Sequence, residues 1–366
     1  MSQQFIEFIQ DIKAPVLIVY HTDTDGVCSA VIACKAIERM TGFKIKSMPC
    51  TPGLVKVTKK LFEQINKKGA HTLIFVDVAV DQEPEYLLKL KENHKIMVID
   101  HHPVENDLNK QGIVHINPKF DADEKRNYPV SKLVYDLFSD ITDISDMDWV
   151  SCVGLIADSA AKEWKRFLTK TNKKYSYYPY PEFESYFDLP LGEIGKWINS
   201  SRLKASSKGL RISFRAVYES TAPEDILKCR NEYAQEIKGW NEDIQKQIKE
   251  YVDGFEKNSE KVKSVYFYSI KGENSVHMKS TVATIISNKH PGKTIFVFGV
   301  SDDSEFLFFS GRRSDGRIDL RKAIQKSISG LQNASGGGHR QASAGIILKK
   351  DEEEFKKRVA ENTESF

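Results

Sequence analysis

The sequence predicts an α/β protein in which a doubly wound parallel-sheet domain is joined by a long helix to a second, smaller α/β domain. Between residue 16 and about residue 160, short apolar runs rich in Val and Ile alternate with helical stretches, which is typical of strands covered on both faces. Strands and helices alternate again over residues 261–366. A chain of 366 residues suits two domains, because one domain commonly takes ~100–200 residues.

The first domain carries the clearest strands. Four runs have the short, β-branched composition of buried parallel strands: VLIVYH (16–21), TLIFVD (72–77), KIMVID (95–100) and IVHIN (113–117). Apolar residues recur at helical spacing in 29–40 and 57–68, between the first two strands. After residue 160 the chain becomes aromatic and proline-bearing, which indicates an irregular insertion at the end of this domain.

A basic segment and a long helix follow. Residues 202–215 contain five basic residues and no acidic one, and we expect a helix or loop near a domain junction. Thr221, Pro223 and Glu224 have the arrangement of a capping box with proline in the first turn. Apolar residues then recur at three- and four-residue steps, so one long amphipathic helix is expected to end near Gly254. The predicted divisions are 1–200 for the first domain, 201–260 for the connecting segment and 261–366 for the second domain.

The second domain shows the same kinds of element. Strands are predicted in KSVYFYSI, TIFVFGV, EFLFFSGR and AGIILKK, and helices near STVATIISNK and DLRKAIQKSI. The acidic run at 351–354 is expected to form the first turn of a last helix, because carboxylates are favourable at a helix N-terminus.

Charge and composition narrow the class of protein. The chain has 54 Lys and Arg against 51 Asp and Glu, so its formal net charge of +3 does not draw it onto a polyanion by bulk attraction. Contact with nucleic acid must therefore come from local patches.

The apolar runs are too short for a membrane span and the N-terminus lacks a signal-peptide pattern, so we expect a cytoplasmic protein. Five cysteines without CxxC spacing argue against a disulfide framework and a zinc knuckle.

Acidic and imidazole side chains follow the predicted strands at their carboxyl ends. Seven of them lie at the ends of three strands: His21, Asp23 and Asp25; Asp77; and Asp100, His101 and His102. A fourth candidate strand, VGLIADS, ends its apolar run at Asp158. Taken singly, such an Asp is usually a turn or helix cap and such a His is usually structural. Because the carboxyl ends of parallel strands share one edge, however, we expect all of these groups to converge.

The convergence of these side chains predicts a metal site. Five acids and three histidines at one edge would repel and desolvate one another unless cations lay among them. Carboxylate and imidazole ligands without thiolate suit manganese or magnesium better than structural zinc.

The same residues fall into motifs of a known family. Four segments occur in order, HTDTDGVCSA (21–30), Asp77, VIDHH (98–102) and GLIADS (154–159), and GGGHRQASAG lies at 336–345. This set resembles the DHH phosphoesterase superfamily with its DHH-associated C-terminal domain. The resemblance spans about residues 14–160 and 261–350, and it implies a metal-dependent phosphoesterase.

The resemblance implies two divalent ions that share Asp77. The first ion would be held by His21, Asp23 and Asp77. The second would be held by Asp25, Asp77, His101 and Asp158. Two such ions would activate a water and stabilise the charge that builds on a phosphoryl group.

The remaining members of the third motif would act beside the ions. Asp100 is expected to orient an imidazole rather than to ligate directly. His102 would contact the scissile phosphate or protonate the departing oxygen. The expected catalytic residues are Asp77, Asp100, His101 and His102.

Candidates for substrate binding lie in the second domain. They are Gly336, Gly337, Gly338, His339, Arg312 and Arg313. The glycines would let backbone N–H groups approach a phosphate or base, although a flexible linker is the alternative. SGRRS (310–314) resembles the family's Ser-x-Arg segment, which places its arginines on a phosphate, with an exposed solubilising pair as the alternative. The basic stretch 202–215 either follows a nucleic-acid backbone or is a solvated face.

Motif details favour RecJ-like exonucleases and their archaeal relatives. The first motif has the form Asp-x-Asp-Gly-x-x-Ser-Ala, and Asn117-Pro118 follows the third motif. We therefore predict a phosphodiesterase that uses two divalent ions, manganese or else magnesium. It would remove mononucleotides from single-stranded DNA or RNA, or from short oligonucleotides. We expect no extra oligonucleotide-binding domain after residue 366, and hence no long-strand processivity.

Two other functions stay open at this stage. The same chemistry could serve a smaller substrate, such as a di- to tetranucleotide, a pAp-like nucleotide or a cyclic dinucleotide. A catalytically silent scaffold of a replication complex would have lost metal ligands, and none is lost here. A homodimer, or a replication or repair partner, is compatible with the long helix, and no membrane partner is expected.

Overall fold

Residues 3–50, 56–179, 185–272, 274–301 and 304–364 are described by a computed structural model. The chain forms two units, Met1–Asn241 and Glu242–Phe366, and their boundary lies within one helix. None of the helices in the described residues is both long and apolar enough to cross a membrane.

The first unit is built on a parallel sheet. Its strands in the described residues are β1 (Val16–Tyr20), β2 (Lys46–Pro49), β3 (Thr72–Val76), β4 (Lys95–Ile99) and β5 (Val114–Ile116). They lie in the order β2-β1-β3-β4-β5, and every pairing is parallel. The four predicted strands are confirmed as β1, β3, β4 and β5. The edge strand β2 was not predicted, because its sequence KSMP is short and largely polar.

Helices cover both faces of this sheet. Those in the described residues are α1 (Gln3–Gln10), α2 (Thr24–Thr41), α3 (Lys59–Asn66), α4 (Glu85–Lys91), α5 (Val130–Ser139), α6 (Asp148–Ala157), α7 (Lys165–Lys174), α8 (Pro190–Tyr218), α9 (Pro223–Leu227) and α10 (Glu232–Asn258). Alternate residues of a strand point to opposite faces. Leu17 and Val19 of β1 pack with α3 and α4, whereas Ile18 and Tyr20 pack with α2, α5 and α6. This is the predicted doubly wound arrangement.

The apolar run that ends at Asp158 is a helix, not the predicted fourth strand. It forms α6, and Asp158 is the C-terminal cap. This helix packs against α2, α5 and α8, and nearly all of its residues are buried. A helix that is apolar on every side has no periodic pattern, so its sequence resembles that of a buried strand.

The long amphipathic helix predicted to start at Thr221 is in fact two helices. The short α9 ends at residue 227, and Cys229 follows with a φ of 51° in the left-handed region. That conformation ends a helix. The second helix, α10, then begins at Glu232 and continues past the predicted end near Gly254.

The cap of α9 also differs from the prediction. Asp225, rather than Thr221, supplies the capping side chain, because its Oδ2 accepts the backbone N–H groups of Thr221 (2.9 Å) and Ala222 (3.2 Å). The carboxylate therefore reaches back over the start of the helix, and the predicted pairing of Thr221 with Glu224 was wrong.

The basic stretch 202–215 lies in α8, within the first unit. Ala205 and Ser206 have non-helical backbone angles, so α8 is kinked there. The boundary between the units falls at residues 241–242, inside α10. The predicted connecting segment 201–260 is thus shared between the two units.

The second unit contains a mixed sheet. Its elements in the described residues are β6 (Glu260–Val262), β7 (Val265–Lys271), α11 (Ser275–Lys289), β8 (Thr294–Val300), β9 (Phe306–Arg312), α12 (Leu320–Ile328), β10 (Ser335–Gly338), β11 (Ala342–Leu348) and α13 (Glu352–Asn362). The strand order is β10-β11-β9-β8-β7-β6, and β7 and β8 are the parallel neighbours. Phe296, Phe309 and Phe355 pack together in its core. The acidic run begins α13 as predicted.

Candidate metal centre

The carboxyl ends of three neighbouring strands hold the first candidate ligands. The residue after each strand donates its backbone N–H to the adjacent strand: His21 to Val76 O (3.2 Å), Asp77 to Ile99 O (2.9 Å) and Asp100 to Ile116 O (3.0 Å). These hydrogen bonds extend the parallel ladder beyond β1, β3 and β4. The three backbone positions are therefore fixed along one edge of the sheet.

His21, Asp23 and Asp77 form one compact group. His21 Nδ1 lies 2.9 Å from Asp23 Oδ2 and 3.4 Å from Asp77 Oδ2. One potential ligand atom of each residue lies within 4.8 Å of the others. Asp23 is also the N-terminal cap of α2, where its Oδ1 accepts the backbone N–H of Gly26 at 2.9 Å. One oxygen of this carboxylate thus holds the start of the helix while the other faces His21.

Asp77 takes part in a second group, with His101 and His102. Its Oδ1 lies 3.5 Å from His101 Nε2 and 4.0 Å from His102 Nδ1. The ligand atoms of these three residues again lie within 4.8 Å of one another. The other oxygen, Oδ2, faces His21 of the first group. The two oxygens of a single carboxylate therefore face two different sets of potential ligands.

The backbone of Asp77 has an unusual conformation. Its φ is 61°, in the left-handed region that residues other than glycine seldom adopt. Asp tolerates this region better than most residues do. The side chain is only 1% exposed. Residues with strained backbone conformations cluster at functional sites in proteins. Asp77 is therefore the strongest single candidate for a functional residue in the described part of the chain.

Asp25 and Asp158 come from helices rather than from strand ends. Asp25, in α2, accepts the backbone N–H groups of the first two residues of α5 at 2.7 Å and 3.1 Å. It belongs to neither of the two compact groups. Asp158 Oδ2 lies 3.8 Å from His101 Nδ1. Asp23, Asp25 and Asp158 nevertheless line one cavity of about 280 Å³, so these acids are brought to the same side of the centre.

The approach of α6 to Asp25 depends on Gly154. A Cβ atom at this position would lie 2.7 Å from Asp25 Oδ1 and 2.7 Å from the Cβ of Ser131. Real Cβ atoms do not come so close to other atoms. The glycine therefore lets α6 pack directly against the buried carboxylate.

Asp100 and His102 form a hydrogen-bonded pair. Asp100 Oδ1 lies 2.8 Å from His102 Nδ1, and the Asp100 side chain is fully buried. Asn117 Nδ2 donates to the backbone oxygen of His102 at 3.0 Å. Both contacts fix the position of His102 relative to Asp77.

Burial and the crowding of like charges act strongly on the acids. Burial raises the pKa of Asp77 well above its usual range, and the carboxylates of Asp23 and Asp25 raise it further. Burial, with the charge of Asp158, raises the pKa of Asp25 to about 8. Burial opposes ionisation of Asp23 as well, but the imidazole of His21 beside it holds its pKa below the usual range. Burial and crowding therefore oppose the ionisation of Asp77 and Asp25, and a cation bound among the acids would favour their charged forms.

Several buried polar atoms here lack a hydrogen-bond partner within the described residues. Among them are Asp77 Oδ2 and Asp100 Oδ2. A buried polar atom left unpaired costs ~1–3 kcal/mol. A divalent cation accepts imidazole nitrogen and carboxylate oxygen together, and it offsets the crowded negative charge. The residues present thus fit a divalent metal.

Two residues beside the centre were not predicted to lie there. Asn127 Nδ2 donates to the backbone oxygen of Asp158 at 2.9 Å and to its Oδ2 at 3.1 Å. Arg202, in α8, has a buried Nε with no hydrogen-bond partner in the described part of the chain. Burial lowers the pKa of this guanidinium, and the charge of Asp23 opposes that effect. The sequence carries no local signal for either contact, because each joins distant segments.

The glycine run of the second unit is a strand, not a flexible linker. Gly336, Gly337 and Gly338 lie in β10, which pairs with β11 and forms an edge of the sheet. The chain then turns at His339, whose backbone N–H donates to Ala342 O at 2.8 Å. The His339 side chain is exposed at the tip of this hairpin. An edge strand offers backbone N–H groups to a ligand.

The two arginines of SGRRS have different surroundings. Arg312 donates from Nη1 to Ser310 Oγ at 2.9 Å and from Nε to Thr284 Oγ1 at 3.0 Å, and burial lowers its pKa. It forms no ion pair within the described ranges. Arg313 instead forms a bidentate ion pair with Asp315 at 2.9 Å and 3.1 Å. Arg312 is therefore the arginine of this pair whose charge is not already neutralised.

The family of the chain follows from comparison with known domains. Residues 15–174 match the DHH family, N-terminal domain, and residues 261–365 match the DHHA1 domain. The two matches together cover more than half of the chain. The chain belongs to the DHH phosphoesterase superfamily. The first match contains all of the candidate metal ligands, and the second contains the glycine run and the two arginines.

The chain also resembles individual proteins, in sequence or in structure. An uncharacterized protein of Methanocaldococcus jannaschii is 25% identical over 166 residues, which span 44% of this chain and 37% of that protein. The structure of RecJ from Thermus thermophilus in complex with Mn²⁺ is 15% identical with a TM-score of 0.73, and the match covers 99% of this chain and 54% of that one. The structure of exonuclease RecJ bound to manganese is 15% identical with a TM-score of 0.71, and the match covers 99% and 94%. At these identities the structural likeness establishes a shared fold.

Proposed function

We propose that this DHH-superfamily member is a divalent-metal-dependent phosphodiesterase, an exonuclease that releases mononucleotides from single-stranded or short nucleic acid. The main support is the position of Asp77, whose Oδ2 faces His21 and whose Oδ1 faces His101 and His102. Paired cation sites that share a ligand suit in-line displacement at phosphorus, where charge builds on both the attacking and the departing oxygen.

We assign the ligands to two ions. The first is held by His21, Asp23 and Asp77, and the second by Asp25, Asp77, His101 and Asp158. Each oxygen of Asp25 accepts one backbone N–H and keeps a further lone pair for a cation. Ligands of this mixed kind without thiolate favour manganese, with magnesium as the alternative, and the two similar RecJ structures hold manganese. Such ions, when bound, supply activation of water and stabilisation of negative charge on phosphoryl oxygens.

Asp100 and His102 have separate tasks in this proposal. Asp100 is a positioning residue that holds the ring of His102 through the 2.8 Å contact to Nδ1. An imidazolium held in this way donates from Nδ1 to Asp100 and from Nε2 to an oxygen of the scissile phosphate or to the departing oxygen. His102 thus contacts the reacting group without serving as an assigned metal ligand.

The second unit is proposed to bind substrate. The edge-strand glycines Gly336, Gly337 and Gly338 would offer backbone N–H groups, and the exposed His339 would contact a phosphate or base. Arg312 would bind a phosphate through its planar guanidinium. Arg313 is the weaker candidate of the two arginines, because Asp315 already neutralises its charge. A cytoplasmic location and a homodimer or a replication or repair partner stay predictions from the sequence.

A substrate panel tests the activity. The purified protein is stripped with a chelator, supplied with manganese, and incubated with end-labelled DNA and RNA strands of about 12 nucleotides, with dinucleotides, with pAp and with cyclic dinucleotides. We expect a ladder of products ending in mononucleotides from the labelled strands, and no reaction before manganese is added. Protein with Asp77→Asn, purified in the same way, reveals any contaminating nuclease.

The panel separates the alternatives. Cleavage confined to the smallest substrates would replace the exonuclease with a small-substrate phosphoesterase, such as a nanoRNase, a pAp phosphatase or a cyclic dinucleotide phosphodiesterase. Failure to cleave any phosphodiester with manganese or magnesium would contradict the enzyme and favour a catalytically silent scaffold.

A further inference from the structure

A second cavity in the first unit is lined by four cations. It has a volume of about 500 Å³ and lies between β2, α3 and α8. Lys60, Lys67 and Lys68 line it from α3 and the residues that follow, and Arg211 lines it from α8. No acidic side chain is among its lining residues in the described part of the chain. Acidic and basic residues are nearly equal in number over the whole sequence. The positive charge of this cavity is therefore a local excess.

The four cations of this basic cavity have no ion-pair partner within the described residues. Lys56, which precedes α3, is by contrast paired with Glu83 at 2.7 Å. Cations that converge on a concave surface repel one another, and a bound polyanion relieves that repulsion. All four side chains are exposed, so they can reach a ligand in the cavity.

The basic cavity begins at the same sheet edge as the candidate metal centre. β2 pairs with β1, with Pro49 opposite Tyr20, and Cys50 donates its backbone N–H to Tyr20 O at 2.8 Å. Pro49 and Cys50 line the basic cavity, whereas the residue after Tyr20 is the candidate ligand His21. The charge of Asp23 also acts on Cys50. The cavity and the centre are therefore neighbours.

One helix contributes to both sites. The first half of α8 lines the 280 Å³ cavity that contains Asp23, Asp25 and Asp158. Beyond the kink at Ala205 and Ser206, the same helix lines the basic cavity with Ser207 and Arg211. Arg202, just before the kink, has an unpartnered buried Nε, and Asp23 acts on its charge. Positive groups thus continue along α8 from the metal centre to the basic cavity.

We propose that the basic cavity is a nucleotide subsite that binds a backbone phosphate of the substrate strand next to the phosphodiester held at the metal centre. This inference rests on the proposed function. The volume lies in the ~300–1,000 Å³ range of small-molecule sites. Guanidinium and ammonium groups are the usual protein partners of phosphate. A subsite of this kind favours oligonucleotides over the smallest phosphodiesters.

Binding without catalysis tests the subsite. Affinity for a fluorescent single strand of about 12 nucleotides is measured by anisotropy at several salt concentrations, with a chelator present. We expect the double variant Lys67→Ala/Lys68→Ala, and Arg211→Ala, each to weaken binding about tenfold. The slope of log affinity against log salt should also become shallower by ~0.7 for each phosphate that the variant no longer neutralises. Lys59→Ala removes an exposed lysine of α3 that does not line the cavity, and this variant should bind as the natural chain does.

Hydrolysis then separates the subsite from the activity. With manganese, the Arg211→Ala loss in kcat/KM should be about tenfold larger on the strand than on bis(p-nitrophenyl) phosphate. Equal losses on both substrates, or binding indistinguishable from that of Lys59→Ala, would overturn the subsite while leaving the phosphodiesterase in place. If the natural chain hydrolyses neither substrate, the proposed function fails, and the binding measurement still decides whether the cavity binds the strand.

Discussion

Asp77 joins a positive φ of 61°, a buried carboxylate and two sets of potential ligands in one residue. Asp77→Asn tests whether it bridges two ions. Asn has nearly the same shape and also tolerates the left-handed region, so the fold should be kept while the charge is lost. We expect turnover of a labelled strand to fall about 10³-fold or more, and manganese to lose its effect on the midpoint of thermal unfolding. Turnover near that of the natural chain would remove the bridging role.

Asp81 provides a matched control for Asp77. It is equally buried, but its Oδ2 accepts the backbone N–H groups of Glu105 (2.7 Å) and Asn106 (3.1 Å). Asp81→Asn should therefore lower the free energy of unfolding by ~1–3 kcal/mol and keep the manganese-induced rise in the unfolding midpoint. Loss of that rise in both variants would mean that it reports general damage.

Asp315 gives a residue-scale test of pH dependence in the second unit. Its ion pair with Arg313 holds the pKa of the carboxyl at about 2, below the usual value of 3.8. A lowered pKa in the folded state means that the stabilisation is present above pH 3.8 and is lost as pH falls through about 2. We expect Asp315→Asn to lower the free energy of unfolding by about 1 kcal/mol at pH 7 and by less near pH 2. Urea unfolding at both pH values measures this, and equal losses would contradict it.

Among the elements, α6 packs against Asp25 and carries Asp158 at its C-terminal end. Gly154→Ala places a Cβ against Asp25 and Ser131, so α6 must shift. We expect a loss of ~1–3 kcal/mol in stability and weaker manganese binding, measured by urea unfolding and by titration of the metal. The additional change Ser131→Gly removes the Ser131 atoms that the new Cβ meets but leaves its contact with Asp25. It should therefore restore part of the lost stability and part of the lost manganese binding.

A glycine in another helix provides a control for Gly154→Ala. Gly239 lies in α10, and a Cβ there would meet nothing within 4 Å. Gly239→Ala should therefore stabilise the protein by up to ~1 kcal/mol, because alanine is the better helix former. If Gly154→Ala behaved in the same way, the close packing of α6 on Asp25 would not matter to the centre.

The elements also explain what the sequence could reveal and what it could not. The strand-end residues His21, Asp77 and Asp100 were predictable, because parallel strands bring their carboxyl ends to one edge whatever the helices do. Asp158 was found as a residue but placed on the wrong element, since a fully buried helix has no visible period. The basic stretch 202–215 was singled out from the sequence, but the burial of Arg202 beside the centre and the basic cavity that Arg211 lines were not predictable. They depend on how a kinked helix packs against β2 and α3, which no local pattern encodes.

For the whole molecule, the net charge of +3 hides two separate regions of charge. Acids are concentrated at the candidate metal centre, and unpaired cations surround the basic cavity beside it. A nucleic-acid strand would bind at both regions only when metal ions reverse the negative charge of the metal centre. A nearly neutral net charge is thus compatible with specific binding of a polyanion.

Metal binding should be visible as a change confined to one part of the chain. A ligand that binds only the folded state stabilises it by ~2.7 kcal/mol at 100 times its dissociation constant. We expect manganese to slow hydrogen exchange in peptides containing His21, Asp77, His101 and Asp158, and to leave β7, β8 and β9 unchanged. Exchange measured by mass spectrometry with and without a chelator checks this. Equal protection in the second unit would place a metal site there as well.

The sharing of Asp77 by two divalent ions is tested most directly by anomalous X-ray scattering from crystals grown with manganese. Data collected on both sides of the manganese absorption edge should give two anomalous peaks. One should contact His21, Asp23 and Asp77, and the other should contact Asp25, Asp77, His101 and Asp158. A single peak, or two peaks of which only one contacts Asp77, would contradict the two-ion centre.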